Sequence, residues 1–228
     1  MIVDCHTYVW ERAEQLGRTA PAVTGRLRAA GVRNTVDTER HFQATEPVDK
    51  TIVLGFRSYY LDAHVPNDYL ARYVRQHPDR LVGFAGVDPS RPREAVRATL
   101  EAHESLGLKG IVVCPAAQDY HPASTQAMKI YAEAERLRMP VLFDQGLLMT
   151  PSAKMEYARP YLLDEVAREF PNLKIVISQL GYPWVEETIV LLAKHPNVYG
   201  DISGLMQDFW NSYKVLLSAA QMNVIDKL

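Results

Sequence analysis

The stretch of residues 172–204, NLKIVISQLGYPWVEETIVLLAKHPNVYGDISG, constrains the fold of this chain more than any other. Residues 174–177 are a short, apolar, β-branched run, which is typical of a strand buried on both faces. Pro183 fits a first helical turn, and the apolar residues after it recur with helical spacing until residues 194–196, where basic groups and a proline favour a helix end. Residues 198–202 predict a second strand. A right-handed β-α-β unit of this size implies a parallel sheet.

The same alternation of strand and helix runs through the rest of the chain. Five further strands are predicted at residues 2–8, 49–55, 81–87, 109–114 and 140–143. Helices are predicted at about residues 67–77, 92–106, 124–138, 160–170 and 208–220. Residues 11–49 are polar and weakly periodic, so we expect irregular structure there with one or two short helices. No linker or charge block divides the chain, which predicts a single domain over residues 1–228.

About seven such units leave two parallel architectures, a doubly wound open sheet and a (β/α)₈ barrel. The dinucleotide-binding version of the open sheet needs a glycine-rich turn after the first strand. Residues 4–10 read DCHTYVW, with no glycine, so an α/β fold of the TIM-barrel type is preferred. Residues 223–228 resemble the approach to an eighth strand, which we therefore expect to be missing or truncated. The strand edges left open would favour a homo-oligomer.

Composition excludes several classes of protein. The chain has 228 residues, of which 47% are hydrophobic and 23% charged, with a net charge of −2, as in an ordinary soluble globular protein. That charge gives no argument for binding nucleic acid or an acidic membrane surface. No apolar run approaches a membrane span, and no signal pattern precedes the first strand. Cys5 and Cys114 are the only cysteines, so a disulfide framework is not indicated and a cytoplasmic location is expected.

Barrel geometry directs the search for chemistry, because functional groups lie at the C-terminal ends of barrel strands. Reading these ends gives a polar ring formed by His6, Tyr8, Arg57, Asp88, Cys114, Gln118, Asp144, Gln145, Gln179, Asp201 and Ser203. Three other histidines stay open as candidates, namely His41, His64 and His121. The remaining histidines belong to predicted helices or helix ends and are not candidates.

Each leading candidate has a structural alternative. A buried carboxylate needs a partner, which favours Asp144 as a functional group paired with His6, Arg57 or a ligand. His6 is equally well explained as a hydrogen-bonded interior histidine. The Arg57 guanidinium suits a substrate carboxylate, but it also suits a neighbouring acid. Cys114 is expected to face the core unless a cation activates its thiol, and Asp201 is expected to cap its own loop.

The residues of the chain resemble the amidohydrolase-related family, the amidohydrolase 2 group of the amidohydrolase superfamily. The similar stretches are VDCHTYVW, GLKGIVVCPAAQDYHP, MPVLFDQG and, most specifically, residues 172–204, while the final VIDKL resembles the lead-in to the family's eighth strand. The resemblance covers residues 1–9 and nearly all of 80–228. That family contains metal-dependent hydrolases and non-oxidative decarboxylases acting on aromatic or muconate-type acids. The resemblance therefore implies a barrel enzyme with a small, carboxylated substrate.

The sequence departs from this family at the metal ligands. Where the family's first strand has a His-x-His pair, this chain has His6-Thr7-Tyr8, and the family's histidines on the fifth and sixth strands are matched by Asp144 and Gln179. The family's aspartate after the eighth strand is not supplied by this chain. The protonated phenol of Tyr8 and the amide of Gln179 are poor ligands for zinc. His6 and Asp144 alone would give two good ligands, which do not make a tight zinc site. We therefore predict no metal ligands and no cofactor, with a divalent metal such as zinc as the alternative.

Three hypotheses follow from these residues. The first is an amidohydrolase-related hydrolase or decarboxylase with a remodelled site, in which the catalytic residues His6 and Asp144 supply the general base. In it, hydrogen-bond donors stabilise a developing oxyanion, and Arg57 anchors a carboxylate. The residues assigned to the substrate are Tyr8, Arg57, Cys114, Gln179 and Asp201. The second hypothesis is a catalytically inactive barrel that serves as a binding or assembly module, and the third is a fragment of a longer metal-dependent enzyme.

Overall fold

Strands alternate with helices throughout the computed structural model, which describes residues 1–21, 23, 37–146, 150–205 and 209–228. Its strands are β1 (Val3–Tyr8), β2 (Lys50–Leu54), β3 (Phe56–Ser58), β4 (Ala63–Val65), β5 (Leu81–Gly86), β6 (Gly110–Val113), β7 (Val141–Phe143), β8 (Ile175–Ile177) and β9 (Val198–Gly200). Its α-helices are α1 (Thr38–Ala44), α2 (Asn67–Gln76), α3 (Pro92–Glu104), α4 (Pro115–Gln118), α5 (Thr125–Arg136), α6 (Asp164–Glu169), α7 (Val185–Lys194) and α8 (Phe209–Gln221). Short 3₁₀ helices occupy Ala13–Thr19, Met155–Ala158, Pro160–Leu163, Ser178–Gly181 and Ile225–Lys227.

Seven strands form one parallel sheet in the order β1-β2-β5-β6-β7-β8-β9. Neighbours in the sheet follow one another along the chain, and helices connect most of them. This is the arrangement of a (β/α) barrel, so the predicted fold class is confirmed. The described residues add no eighth strand to this sheet.

The sheet has an apolar layer on each face, as the continuous apolar runs predict. The inner layer fills the concave side and consists of Leu54, Phe84, Val112 and Leu142, with Ile52, Val82 and Val176 packed against them. The outer layer lies between the sheet and the helices, and it includes Ile111, Val113, Val141, Phe143, Ile175 and Ile177. Inner and outer residues alternate along each strand, because successive side chains of a strand point to opposite faces.

Several helix bounds differ from the sequence-based prediction. Helix α7 begins at Val185, so Pro183 lies in the turn before it rather than in its first turn. The helix predicted at 160–170 is a 3₁₀ helix followed by the short α6. Residues 11–49 contain the Ala13–Thr19 turn and α1, as expected, while residues 22 and 24–36 lie outside the described part of the chain, as does the predicted start of α8 at residue 208. No described helix has both the length and the apolarity needed to cross a bilayer.

A hairpin after β2 was not predicted. Strands β3 and β4 are antiparallel, with Phe56 opposite Val65 and Arg57 opposite His64. The hairpin lacks a tight Asn-Gly or Asp-Gly turn, the usual sequence signal for such a structure. It is held over the end of β6 by Ser58, whose hydroxyl donates to the Ala117 carbonyl (2.7 Å).

Candidate active site

Polar side chains gather where the inner layer reaches the C-terminal ends of the strands. Two residues beyond Val112 lies Cys114, two beyond Leu142 lies Asp144, and two beyond Val176 lies Ser178. The period of two along a strand puts these residues on the same face as the inner layer. The carboxyl ends of parallel strands share one mouth of a barrel, so these side chains meet there.

His6 lies in an irregular part of β1. Asp4 pairs with Thr51 and Thr7 pairs with Val53, so β1 advances by three residues where β2 advances by two. The extra residue makes a bulge in β1. Bulges re-aim side chains and are frequent beside active sites. The His6 side chain is only 8% exposed, with Nε2 3.8 Å from Oδ1 of Asp144 and Nδ1 3.6 Å from Oδ2 of Asp201. The imidazole thus lies between two carboxylates from two different strand ends.

The charge of His6 is set by competing effects. Burial disfavours the imidazolium, but the adjacent carboxylates of Asp144 and Asp201 outweigh it and raise the pKa of His6 to about 9. Asp4, on the same strand, adds a smaller contribution in the same direction. At neutral pH His6 is therefore a cation with two acidic partners, and it can donate a proton.

Asp144 is the more open of the two acids. Its Oδ2 accepts a hydrogen bond from the Tyr8 hydroxyl (2.9 Å), and its Oδ1 accepts one from the Ser178 hydroxyl (3.0 Å). Its side chain is 23% exposed, against 6% for Asp201. Burial and the charge of Asp144 raise the pKa of Tyr8 well above its usual value, so the phenol stays a donor. Asp144 is therefore oriented by two hydroxyls and still reachable by a substrate.

Asp201 is tied into its own loop. Its Oδ1 accepts hydrogen bonds from the backbone N–H of Gln179 (3.0 Å), from the backbone N–H of Ser203 (2.9 Å) and from the Ser203 hydroxyl. Burial alone would raise the pKa of Asp201, but His6 and these donors lower it. Its Oδ2 is the oxygen that faces His6.

Ser178 is a site residue that sequence reasoning missed. Its buried hydroxyl donates to Asp144, accepts from the Gln145 N–H (3.1 Å) and lies 3.2 Å from the Gln145 carbonyl oxygen. The resemblance drew attention to the next residue, Gln179, because it matches the family's sixth-strand histidine. Counting by two from Val176 would have identified Ser178 instead, since inner-face residues recur with period two.

The structure does not bring Arg57 to this cluster. Arg57 lies on β3, between Phe56 and Ser58, and pairs with His64 on β4. It stacks on the Tyr59 ring, 4.2 Å from the centroid. It lines a separate cavity of about 370 Å³, together with His64 and Asp88. Arg57 thus lies in a neighbouring cavity, on a hairpin that the sequence did not predict, and its role as the anchor of a substrate carboxylate stays a prediction.

Cys114 and Gln179 lie at the mouth with restricted roles. The Cys114 thiol is buried among Leu61, Ala63 and Ala117, and burial raises its pKa well above the usual value, so it is not a reactive thiolate. Gln179 has a left-handed backbone (φ 50°) in the turn after β8, and it contributes its N–H to Asp201. Its half-buried side-chain amide lies close to Gly204.

The other residues of the predicted polar ring, which are Asp88, Gln118, Gln145 and Ser203, mainly make hydrogen bonds that connect strand ends. Asp88 accepts from the N–H groups of Tyr59 (2.7 Å) and Ser90 (2.9 Å). The Gln145 side chain donates to the carbonyls of Tyr157 and Arg159. Gln118 joins three segments of backbone, and Ser203 binds Asp201.

The three open histidines lie outside the cluster. His41 is buried in α1, and its Nδ1 is 2.7 Å from the Tyr73 hydroxyl on α2. His64 is exposed on the hairpin opposite Arg57. His121 accepts from the Ala123 N–H through its Nδ1 and packs edge-on against Tyr157.

The described residues do not fit a divalent metal. No group of three or more histidine, cysteine or acidic side chains in the described part of the chain is arranged to hold one. Each ring nitrogen of His6 already faces a carboxylate, with Nε2 3.8 Å from Asp144 and Nδ1 3.6 Å from Asp201. Tyr8, in the position of the family's second histidine, is held as a protonated phenol.

Comparison with known families gives one extensive match. The family model described as Amidohydrolase (Amidohydro_2) matches residues 3–221. None of the curated proteins is similar enough to match.

Solved structures confirm the barrel. A TIM-barrel protein of Bordetella bronchiseptica, described as uncharacterized, is 22% identical with a TM-score of 0.80, over 99% of this chain and 83% of that one. A dihydroxybenzoic acid decarboxylase from a Polaromonas species, with bound manganese and the inhibitor 2-nitroresorcinol, is 15% identical with a TM-score of 0.72, over 99% and 84%. A 5-carboxyvanillate decarboxylase of Novosphingobium aromaticivorans, also with manganese, is 14% identical with a TM-score of 0.69, over 100% and 85%. At these identities the similarity establishes the fold.

Proposed function

The chain belongs to the amidohydrolase family whose model matches residues 3–221, and from that membership we propose an enzyme that transfers protons between His6, Asp144 and a small cyclic substrate. Hydrolysis of a cyclic ester or amide is the reaction that this pair supports best. One observation carries the proposal: the buried imidazole of His6, whose pKa is raised to about 9, lies 3.8 Å from the accessible carboxylate of Asp144 at the barrel mouth.

Asp144 is the general base in this proposal. It is the accessible acid of the cluster, while Tyr8 and Ser178 hold its two oxygens with hydroxyl donors. A base must lie within hydrogen-bond reach of the proton it removes, and a carboxylate open to the mouth can meet a water or a substrate hydroxyl there.

His6 is the general acid. Its Nε2 faces Asp144 and the mouth, and the two adjacent carboxylates keep it protonated at neutral pH. A titratable group in a cleft whose surroundings shift its pKa is a candidate acid or base, and the pKa of His6 is raised. A cation beside the reacting centre also stabilises negative charge that develops on a carbonyl oxygen.

The hydrolytic cycle balances with these two residues. Asp144 takes a proton from water as the water oxygen bonds to the carbonyl carbon of the substrate. His6 gives its Nε2 proton to the leaving oxygen or nitrogen as the bond from the carbonyl carbon breaks. A proton then passes from Asp144 to His6, and both return to their starting charge.

Decarboxylation of an aromatic acid is the second reaction supported, because the decarboxylases compared above share the fold. In it His6 would protonate the ring carbon that bears the carboxylate. Carbon dioxide leaves with cleavage of the carbon–carbon bond, whose electron pair returns to the ring, and His6 then regains a proton from solvent. Both reactions use His6 as the proton donor, so the loss of activity in a His6 variant would not distinguish them. The products do, because hydrolysis opens a ring and decarboxylation releases carbon dioxide. No step is assigned to a metal, because the described donor set does not fit one.

A binding module without turnover is the alternative from a different class. It is favoured by the residues at the family's histidine positions, which are Tyr8, Asp144 and Gln179 in this chain. A site that keeps its shape but has lost its catalytic groups would bind a cyclic acid and release it unchanged.

The test is a substrate panel with matched variants. Purified protein is incubated with small lactones, cyclic amides and hydroxybenzoic acids, and ring opening and carbon dioxide release are measured separately. We expect turnover in at least one class, and we expect Asp144→Asn to lower kcat/KM by about 10²–10⁴-fold, the usual contribution of a general base.

Asp88→Asn is the matched control, since Asp88 is a buried acid outside the cluster. It should keep kcat/KM within about threefold of wild type, a change of less than 1 kcal/mol, with circular dichroism to verify folding. Equal losses in the two variants would contradict the assignment of Asp144. Saturable binding of a panel compound with no turnover would support the binding module instead.

A further inference from the structure

We infer that Asp201 is a positioning residue for His6, which accepts a hydrogen bond from Nδ1 so that Nε2 is the nitrogen exchanging protons at the mouth. This inference rests on the proposed function for its consequence in catalysis. Its structural part concerns the tautomer and the pKa of the His6 ring, and both can be measured without any substrate.

Two buried atoms face each other across this contact. Among the described residues, Nδ1 of His6 and Oδ2 of Asp201 are buried polar atoms without a hydrogen bond. They are 3.6 Å apart. Buried polar atoms are usually paired, because leaving them unpaired is costly. A movement of a few tenths of an ångström would make this pair, and each atom is the other's nearest charged partner in the described site.

The Asp201 carboxylate is held on its other side. Three donors from Gln179 and Ser203 bind its Oδ1. Its backbone is bound to β8 and the turn after it, with its N–H donating to Ile177 (3.0 Å) and its carbonyl accepting from Leu180 (2.9 Å). The direction of Oδ2 is therefore fixed by the protein rather than by solvent.

The two carboxylates beside His6 have different access. Asp201 is 6% exposed, so it leaves little room for a substrate, whereas Asp144 is 23% exposed. The groups that bear on the charge of His6 are Asp144 after β7, Asp201 after β9, and Asp4 on β1. Of these, Asp201 is the acid on the Nδ1 side, which separates its role from that of Asp144 on the Nε2 side.

A simpler role for Asp201 is to cap its loop. That role uses Oδ1 and Ser203, and it leaves Oδ2 without a purpose. The two roles predict different effects of substitution, because Ser203→Ala removes a donor to Oδ1 and leaves Oδ2 in place. This variant is the matched control.

The experiment records the His6 ring nitrogens by ¹⁵N NMR in ligand-free protein from pH 6 to pH 10. For the wild type we expect the neutral ring to carry its proton on Nδ1. We expect Asp201→Asn to lower the pKa of His6 by about 1–3 units, the range for loss of an adjacent opposite charge. Ser203→Ala should change the pKa and the tautomer much less.

Turnover provides the second readout. Turnover should fall at high pH, as His6 loses its proton. This fall should move to lower pH in Asp201→Asn and stay in place in Ser203→Ala. A wild-type neutral ring protonated on Nε2 would overturn the inference, as would equal titration of His6 in both variants. If Asp201→Asn does not fold, the wild-type tautomer still decides. A correct tautomer without turnover would leave the positioning role intact and contradict the proposed function alone.

Discussion

The chemistry of the site depends on a histidine placed between two acids of unequal access. An imidazolium beside one carboxylate forms a simple ion pair, but here a second carboxylate lies on the opposite ring nitrogen. The buried acid stabilises the charge, and the open acid remains available to a reactant. The different surroundings of Asp144 and Asp201 support the two different roles that we propose for them.

At the residue scale we predict a stability change with pH. The pKa of His6 is raised from 6.5 to about 9, so its stabilising contribution is fully present below pH 6.5 and is lost as the pH rises through 9. A shift of this size corresponds to at most about 3–4 kcal/mol in the free energy of unfolding. Urea denaturation from pH 6 to pH 10 measures it, and His6→Asn should flatten the curve in this range.

His41→Asn is the control for this prediction. His41 is also buried, but burial lowers its pKa, so it does not contribute to a loss of stability above pH 7. The variant should keep the decline at high pH. An unchanged decline in His6→Asn would show that another group is responsible.

At the scale of elements, one side chain holds the hairpin to the barrel. Gln118 at the end of α4 donates to the carbonyls of Arg57 (2.6 Å) and Val87 (2.7 Å) and accepts from the Cys114 N–H (2.8 Å). It therefore links β3, the end of β5 and the end of β6. Val87 and Cys114 lie just past the ends of their strands, and buried backbone groups of this kind need partners.

We predict that Gln118→Ala is strongly destabilising. The variant leaves three buried backbone groups without this partner, and each unsatisfied group costs about 1–3 kcal/mol. A loss of at least about 2 kcal/mol in the free energy of unfolding is expected, measured by chemical denaturation. Gln76→Ala, at an exposed position of α2, is the control and should change stability by less than about 0.5 kcal/mol. Similar values for both variants would contradict the role of Gln118.

At the scale of the whole molecule, the barrel is shared with decarboxylases that bind manganese. In the described residues, the strand ends of this barrel bring His6, Asp144 and Asp201 together at one mouth. The homo-oligomer, the single domain and the cytoplasmic location expected from the sequence stay predictions.

We predict less than about 0.1 equivalent of zinc or manganese per chain after purification without added metal, because two good ligands do not hold a divalent ion tightly. Mass spectrometry of the intact sample for metals measures this. Incubation with a chelator should change neither the melting temperature nor the turnover. A metal content near one per chain, or loss of activity with the chelator, would contradict the prediction.

The sequence by itself determined the barrel and much of the mouth. Its apolar runs and helical periodicities are local patterns, and they are sufficient to predict parallel strands joined by helices. Strand ends in a parallel barrel share one face, so His6, Asp144 and Asp201 could be assigned to the same mouth before any coordinates. The resemblance to the amidohydrolase family drew attention to Tyr8 and Gln179, because they stand where the family has histidines.

Only the tertiary structure decided which side chains face one another. The bulge in β1 sets the direction of His6, and a bulge depends on the register between two strands that are distant in sequence. The hairpin places Arg57 over the Tyr59 ring and beside the cavity that His64 also lines, although the sequence around it carries no strong turn signal. Ser178 and the facing atoms of His6 and Asp201 came from packing between separate strand ends. Such distances are properties of the assembled sheet, so no local pattern encodes them.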